Sequence, residues 1–184
     1  IIAVLSKRLV EKHNSTCFIV SSDKDFLQLV TDKIILYRPM EKEYYTPQTV
    51  KDKFGVLPQN FILYKTLLGD NSDNIPGVKG LGAKGIFKKF PELQNKILTL
   101  DNIFDISAGK FKEHVVYSRV IQDQNKLENS YKVMDLSSPM INQQQVDYLE
   151  GLISEDIPDL NSEMFIQLYN EDKLGGMIRN LDNW

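Results

Sequence analysis

Apolar and polar positions along this chain follow two periods, and the switch between them organises the first half. From Ile1 to Lys12 apolar residues recur at helical spacing around Ser6-Lys7-Arg8, which predicts an amphipathic helix. Ser15 to Ser21 holds the unbroken apolar run Cys17-Phe18-Ile19-Val20 between polar neighbours, the pattern of a buried parallel strand. It leads into Ser22-Asp23-Lys24-Asp25-Phe26-Leu27-Gln28-Leu29-Val30, where a helix is expected to start; Ser22 with Asp25 three residues on reads as a capping box. Lys33–Arg38 reads as a second strand, and Glu41–Thr46 as a polar turn with a short third one. Thr46-Pro47, an N-cap followed by proline at the first helical position, opens a helix to about Phe54, closed by Gly55. Leu57-Pro58 then opens the helix that runs to Asp70. Beyond Pro91 the strand pattern stops, and helices are expected over residues 92–100, 110–126, 142–153 and 162–174. The chain therefore reads as α/β first and helical afterwards, with no internal repeat.

Leu67 to Phe90 is the stretch where the pattern alone does not account for the residues. Asp70 and Asp73 fall at or just past a helix C-terminus, where the macrodipole already places partial negative charge. Two carboxylates there call for something positive beside them, and a bound cation is one answer. A solvated Asx turn is the other reading, since Gly69-Asp70-Asn71-Ser72-Asp73-Asn74 is ordinary loop composition. Asp23 and Asp25 face the same choice: they stand at the end of a strand, where functional groups of open α/β sheets collect, but acids also suit a helix start.

The glycine-rich half matches three phosphate or metal motifs in part and fails each. Gly80-Leu81-Gly82-Ala83-Lys84-Gly85 has dinucleotide-fingerprint spacing but follows a polar turn with Pro76 rather than a strand. A nucleotide-hydrolase loop needs Lys then Ser or Thr after its last glycine, where Ile86 and Phe87 stand. A calcium loop from Asp70 would need glycine and glutamate where Ile75 and Leu81 occur. What remains is a turn, Gly77-Val78-Lys79-Gly80-Leu81-Gly82, between two helices. Its glycines at 77, 80 and 82 let backbone N–H groups approach a phosphate, and Lys79, Lys84, Lys88 and Lys89 surround it. No acid occurs between Asp73 and Glu92. Such lysines are either a solvated helix face or a contact to a nucleic-acid backbone.

Composition narrows these readings. The formal net charge of −3 over 184 residues makes any nucleic-acid contact a local patch. A single cysteine, Cys17, excludes a disulfide framework and a cysteine-based zinc site. His13 and His114 are isolated and receive no role. No apolar run reaches the 18 or so residues of a membrane span. The first helix begins without a capping residue or a signal-peptide pattern, so a chain cut within a domain is expected.

Taken together, Ser21-Ser22-Asp23-Lys24-Asp25-Phe26-Leu27-Gln28-Leu29 and, 45 residues after Asp25, Gly69-Asp70-Asn71-Ser72-Asp73-Asn74-Ile75-Pro76-Gly77-Val78-Lys79-Gly80-Leu81-Gly82-Ala83-Lys84 resemble the flap endonuclease and 5′→3′ exonuclease family. That family includes the 5′-nuclease domain of DNA polymerase I and phage 5′ nucleases also called ribonuclease H. The resemblance runs from Thr16 to Phe90. It implies a mainly parallel, PIN-like nuclease core whose C-terminal portion is residues 1–46. A helix-hairpin-helix DNA-binding region over 47–91 and a helical region over 92–184 would follow. It implies that Asp23, Asp25, Asp70 and Asp73 hold two Mg²⁺ ions, with Mn²⁺ as a substitute, and that they serve phosphodiester hydrolysis at a 5′ end, a flap or an RNA primer. The hairpin would grip duplex or junction DNA through Gly77, Lys79, Gly80, Gly82, Lys84, Lys88 and Lys89, with K⁺ at the glycines. An intracellular location in the cytoplasm is implied, beside replication proteins such as a polymerase, a clamp or a single-strand-binding protein. The family's other acidic ligands, including a Glu-Ala-Asp-Asp run expected just before Ile1, are absent, so weak DNA binding and very poor cleavage are expected of this chain. A non-catalytic helix-hairpin-helix module and another metal-dependent phosphotransfer enzyme are the competing classes; the second would leave the hairpin without a task.

Overall fold

The computed structural model describes residues 1–138, 141–154 and 161–173. Helix α1 (Ile2–His13) is followed by strand β1 (Cys17–Val20), β2 (Ile34–Arg38) and β3 (Glu43–Tyr45), which form one sheet in that order. β1 and β2 are parallel, with Val20 opposite Tyr37; β2 and β3 are antiparallel, with Leu36 opposite Tyr45. The sheet is therefore mixed rather than mainly parallel, because the short loop after Arg38 can only turn the chain back beside β2.

The strand burial expected for β1 is corrected as well. Ile19, Ile34, Leu36 and Tyr45 join the core from one face, while Phe18 and Val20 on the other are 54% and 65% exposed. A continuous apolar run signals burial on both faces only when both faces are covered. Here Phe18 meets the Tyr44 ring nearly at right angles, ring centres 6.0 Å apart.

Thr46 caps α2 (Pro47–Phe54) by accepting from the Thr49 amide, and Gly55 ends it with φ +71°. A 3-10 turn at Pro58–Asn60 leads into α3 (Phe61–Leu68). The two-residue strands β4 (Gly69–Asp70) and β5 (Ile75–Pro76) pair antiparallel, and α4 (Ala83–Lys89) follows the glycine turn. Leu27, Leu36, Leu63, Leu67, Ile86, Phe90, Leu93 and Ile103 are nearly fully buried in one continuous cluster. Each such side chain contributes roughly 1.5–3 kcal/mol.

After Pro91 the expected helix over 92–100 does not form beyond a 3-10 turn at Pro91–Gln94. Fully buried Asn60 is the reason. Its amide donates to the carbonyls of Leu93 (2.8 Å) and Lys96 (2.6 Å), and its oxygen accepts from the Leu98 amide (2.9 Å). Those backbone groups are thereby withdrawn from a helix, and Asn60 meets its own hydrogen-bonding needs. Helix α5 (Leu100–Gly109) starts instead at Thr99, through a reciprocal cap with Asn102. The helix expected over 110–126 divides into α6 (Val115–Gln122), capped by His114, and α7 (Gln124–Met134). α8 (Gln143–Ser154) and α9 (Ser162–Glu171) lie where they are expected; the last position of the final expected helix, residue 174, is outside the described residues.

Candidate functional site

The chain leaves β1 at Val20 and turns through Ser21 and Ser22 into a 3-10 turn at Lys24–Leu29. Asp23, not Ser22, caps this turn: its carboxylate accepts from the Asp25 amide at 2.8 Å. The parallel register sets the end of β2 beside this turn. From there Arg38 donates Nη2 to the Ser22 carbonyl at 2.8 Å and pairs Nη1 with Glu41 at 2.7 Å. Its guanidinium carbon lies 5.8 Å from the centre of the Tyr45 ring, and its buried Nε has no described partner. Arg38 thus holds the turn that carries Asp23 and Asp25.

Asp70 arrives from the other side. α3 ends at Leu68, Gly69 takes φ +84°, and the β4–β5 ladder folds residues 71–74 back as a turn. Asp70 Oδ1 accepts from the Ser72 amide (2.9 Å) and hydroxyl (2.5 Å). Its Oδ2 lies 2.6 Å from the Lys65 ammonium, which also bonds Asp25 Oδ1. Lys65, in the last turn of α3, supplies the positive charge that a carboxylate at a helix C-terminus requires. Two oxygens on one ammonium nitrogen are at most roughly 6 Å apart.

Burial works to lower the Lys65 pKa, but hydrogen bonds to Asp25 and Asp70 outweigh it and hold the ammonium above its usual range. The Asp70 carboxyl is held well below the usual carboxylate range, by Lys65 first and Ser72 second. The depressed Asp70 pKa contributes stability that is complete above the unfolded-state value of about 3.9 and is lost as pH falls through the folded value. The raised Lys65 pKa contributes below about 10.4 and is lost as pH rises through the folded value. The gap in thermal midpoint between the wild-type chain and Asp70→Asn is expected to stay level from pH 5 to 9. It is expected to shrink below about pH 4, and a gap unchanged at pH 3 would refute this.

Asp23, Asp25, Asp70 and Asp73 all line one cavity of about 610 Å³, with Arg38 and Lys65 in its wall. Asp25 and Asp70 are brought together by a shared cation; Asp23 and Asp73 are exposed at the rim. The donor chemistry, oxygen throughout, suits a hard divalent ion, and the Lys65 ammonium stands where a cation is stabilised. Among the described residues, however, no three acidic, histidine or cysteine side chains converge closely enough to hold a metal by themselves.

The glycine turn begins where Gly77 passes the C-terminal end of α3, against Leu68 and Gly69. The Val78 amide donates to the Leu67 carbonyl at 2.9 Å, Leu81 N–H to the Val78 carbonyl at 3.0 Å, and Gly80 takes φ +81°. Lys79, Lys84 and Lys88 are exposed and make no ion pair with any described residue. Lys89 is half-buried, its ammonium 5.5 Å from the centre of the Tyr117 ring.

Lys65, Arg38 and Arg119 escape sequence reading. Lys65 stands five residues before Asp70, in the last turn of the helix that Asp70 follows, which is the one local signal available. Arg38 and Arg119 act on backbone carbonyls 16 and 40 residues away, and no short-range pattern reports such contacts.

Comparison with known proteins gives a consistent picture. The family model for the N-terminal, resolvase-like domain of 5′-3′ exonucleases matches residues 1–55. DNA polymerase I of Bacillus subtilis (strain 168) is 40% identical over 117 residues, 61% of this chain and 13% of that protein. The 5′-3′ exonuclease of Aquifex aeolicus (strain VF5) is 33% identical over 159 residues, 83% of this chain and 50% of that protein. The chain thus spans half or less of these relatives. T5 5′-exonuclease with bound zinc ions superposes with a TM-score of 0.67 at 22% identity, over 83% of this chain and 56% of that one. The bacteriophage T5 D15 flap endonuclease in a pseudo-enzyme–product complex with DNA and metal ions gives 0.67 at 23% identity, with the same coverage. At that identity the likeness concerns the fold.

Proposed function

This chain belongs to the 5′→3′ exonuclease and flap endonuclease family, and from that premise we propose that it supplies part of the metal centre and the duplex grip of a 5′ nuclease. One observation carries the reading: carboxylates 45 residues apart in sequence, Asp25 and Asp70, converge on a single positive charge inside a polar cavity. Asp23, Asp25, Asp70 and Asp73 would hold the divalent ions, Mg²⁺ or Mn²⁺. Such ions, when bound, ionise a water and stabilise the departing oxygen of a phosphodiester. The role of the protein is to fix the carboxylates: Arg38 holds the turn bearing Asp23 and Asp25, and Ser72 orients Asp70.

Residues 47–91 act as a helix-hairpin-helix whose Gly77–Gly82 turn meets a duplex or junction backbone, with Lys79, Lys84, Lys88 and Lys89 neutralising phosphates. K⁺ at the turn carbonyls, a polymerase, clamp or single-strand-binding protein as partner, and a 5′ flap or RNA primer as substrate belong to the same proposal. So does the division at residues 46 and 91. Because two carboxylates and not three converge among the described residues, the chain itself should cleave very poorly, and its duplex binding, resting on the hairpin alone, should be weak. The same shortfall favours a second reading, a non-catalytic duplex-binding module.

The experiment follows duplex binding by fluorescence anisotropy over a salt series, and cleavage of a 5′-flap duplex with Mg²⁺. Lys84→Ala is expected to weaken binding and to lower the salt slope by about 1, without a change of thermal midpoint. Rapid flap cleavage by the chain, or an unchanged slope, would contradict the assignment.

A further inference from the structure

We propose that Arg119 is a positioning residue for the glycine turn, so that the helical region after residue 91 sets the shape in which the hairpin meets a phosphate backbone. The inference rests on the duplex-binding reading of that hairpin. From α6, Arg119 Nη1 donates to the Lys79 carbonyl at 2.8 Å across 40 residues of sequence. The same nitrogen lies against Gly80: a Cβ there would fall 3.0 Å from it.

The turn needs an external tie. Glycines at 77, 80 and 82 leave its backbone more conformational freedom than other residues would, and Gly80 occupies the left-handed region, closed locally by the Leu81–Val78 hydrogen bond. A rotated Lys79–Gly80 peptide would redirect its carbonyl, and an oxygen facing an approaching phosphate repels it. The guanidinium fixes that carbonyl and covers its negative end.

The anchor behind Arg119 is rigid. Two residues earlier Tyr117 is buried, with its ring edge against Phe90 (centres 5.7 Å apart), and its hydroxyl donates to the Lys89 carbonyl at 3.0 Å. α6 therefore grips the C-terminal end of α4 through Tyr117 and the turn preceding α4 through Arg119. No ion pair joins Arg119 to a described residue, so its interaction with the turn is this hydrogen bond.

Two measurements on Arg119→Met and Arg119→Lys test the proposal. Amide hydrogen exchange at Leu81, read by NMR without DNA, should be about five- to tenfold faster in Arg119→Met, the effect of one lost hydrogen bond. Arg119→Lys, which keeps a donor, should restore it to within about twofold. With a short duplex, Arg119→Met should raise Kd by a similar factor at an unchanged salt slope, its thermal midpoint falling by no more than about 5 °C and that of Arg119→Lys by less. Unchanged Leu81 exchange in Arg119→Met overturns the proposal. A salt slope lower by about 0.9 also overturns it, because it marks a direct phosphate contact. If the wild-type chain shows no salt-dependent duplex binding, the duplex reading falls and takes the nucleic-acid clause with it, while Leu81 exchange still decides whether Arg119 holds the turn.

Discussion

Asp70→Asn should lower Mg²⁺-dependent cleavage of a 5′-flap duplex, relative to the same protein with Asp70 intact, by at least about a hundredfold, and leave duplex affinity within about twofold. The asparagine keeps an oxygen for the Ser72 amide and hydroxyl, so the turn at 71–74 is retained. What disappears is one of the two negative charges that converge on the Lys65 ammonium. Changes in groups that merely orient metal ligands cost about 10–100-fold, so loss of a charge from the proposed ligand set should cost more. The proposed duplex grip lies in other side chains, the exposed Lys79, Lys84 and Lys88, which the substitution does not touch. Isothermal titration with Mn²⁺ supplies a readout independent of turnover: the affinity of the variant should fall about tenfold or more. Full cleavage by Asp70→Asn would remove Asp70 from the metal centre. Equal loss of cleavage and duplex binding would show that the acids and the hairpin are not separate in function.

How far these roles are legible from sequence depends on the range over which each is determined. Caps and turns are local, and Thr46-Pro47 with Gly55 brackets α2 as the sequence indicates. The glycine turn ahead of Ala83 is read correctly for the same reason: glycine where φ is positive is a one-residue signal. Failures begin where a distant group decides. The apolar run of β1 does not reveal that Phe18 and Val20 lie on an uncovered face, since coverage belongs to the neighbouring elements. The segment after Pro91 has helical composition, yet Asn60, more than 30 residues earlier, takes its carbonyls. The candidate site shows the same division. The aspartates stand out because acids at a helix C-terminus are electrostatically unfavourable, whereas their neutralisation by Lys65 is a tertiary fact.

The second large effect concerns stability and falls on Gly77. A Cβ at that position would stand 2.2 Å from both the carbonyl carbon and oxygen of Leu68 and 2.5 Å from the Gly69 nitrogen. A Cβ on Gly69 would conversely stand 2.3 Å from the Gly77 nitrogen. These are backbone atoms held by the β4–β5 ladder and by the Val78–Leu67 hydrogen bond, so no side chain can swing aside to make room. Overpacking that flexible neighbours can absorb costs about 1–3 kcal/mol, and a clash of main chain with main chain belongs at or above the top of that range. Gly77→Ala is therefore expected to lower the thermal midpoint by roughly 6–12 °C in a chain of this size. Gly82→Ala is the control: nothing lies within 4 Å of a Cβ there, and its φ of −89° suits any residue, so the midpoint should move by no more than about 2 °C. The damage at 77 should also reach the acids, because the ladder that Gly77 adjoins sets where Asp70 leaves α3. Mn²⁺ affinity at a temperature where Gly77→Ala is still folded should consequently fall together with its stability. A variant that melts with the wild type would show that the close approach of residues 69 and 77 relaxes freely. A variant that is destabilised yet binds Mn²⁺ normally would show that the ladder does not position Asp70.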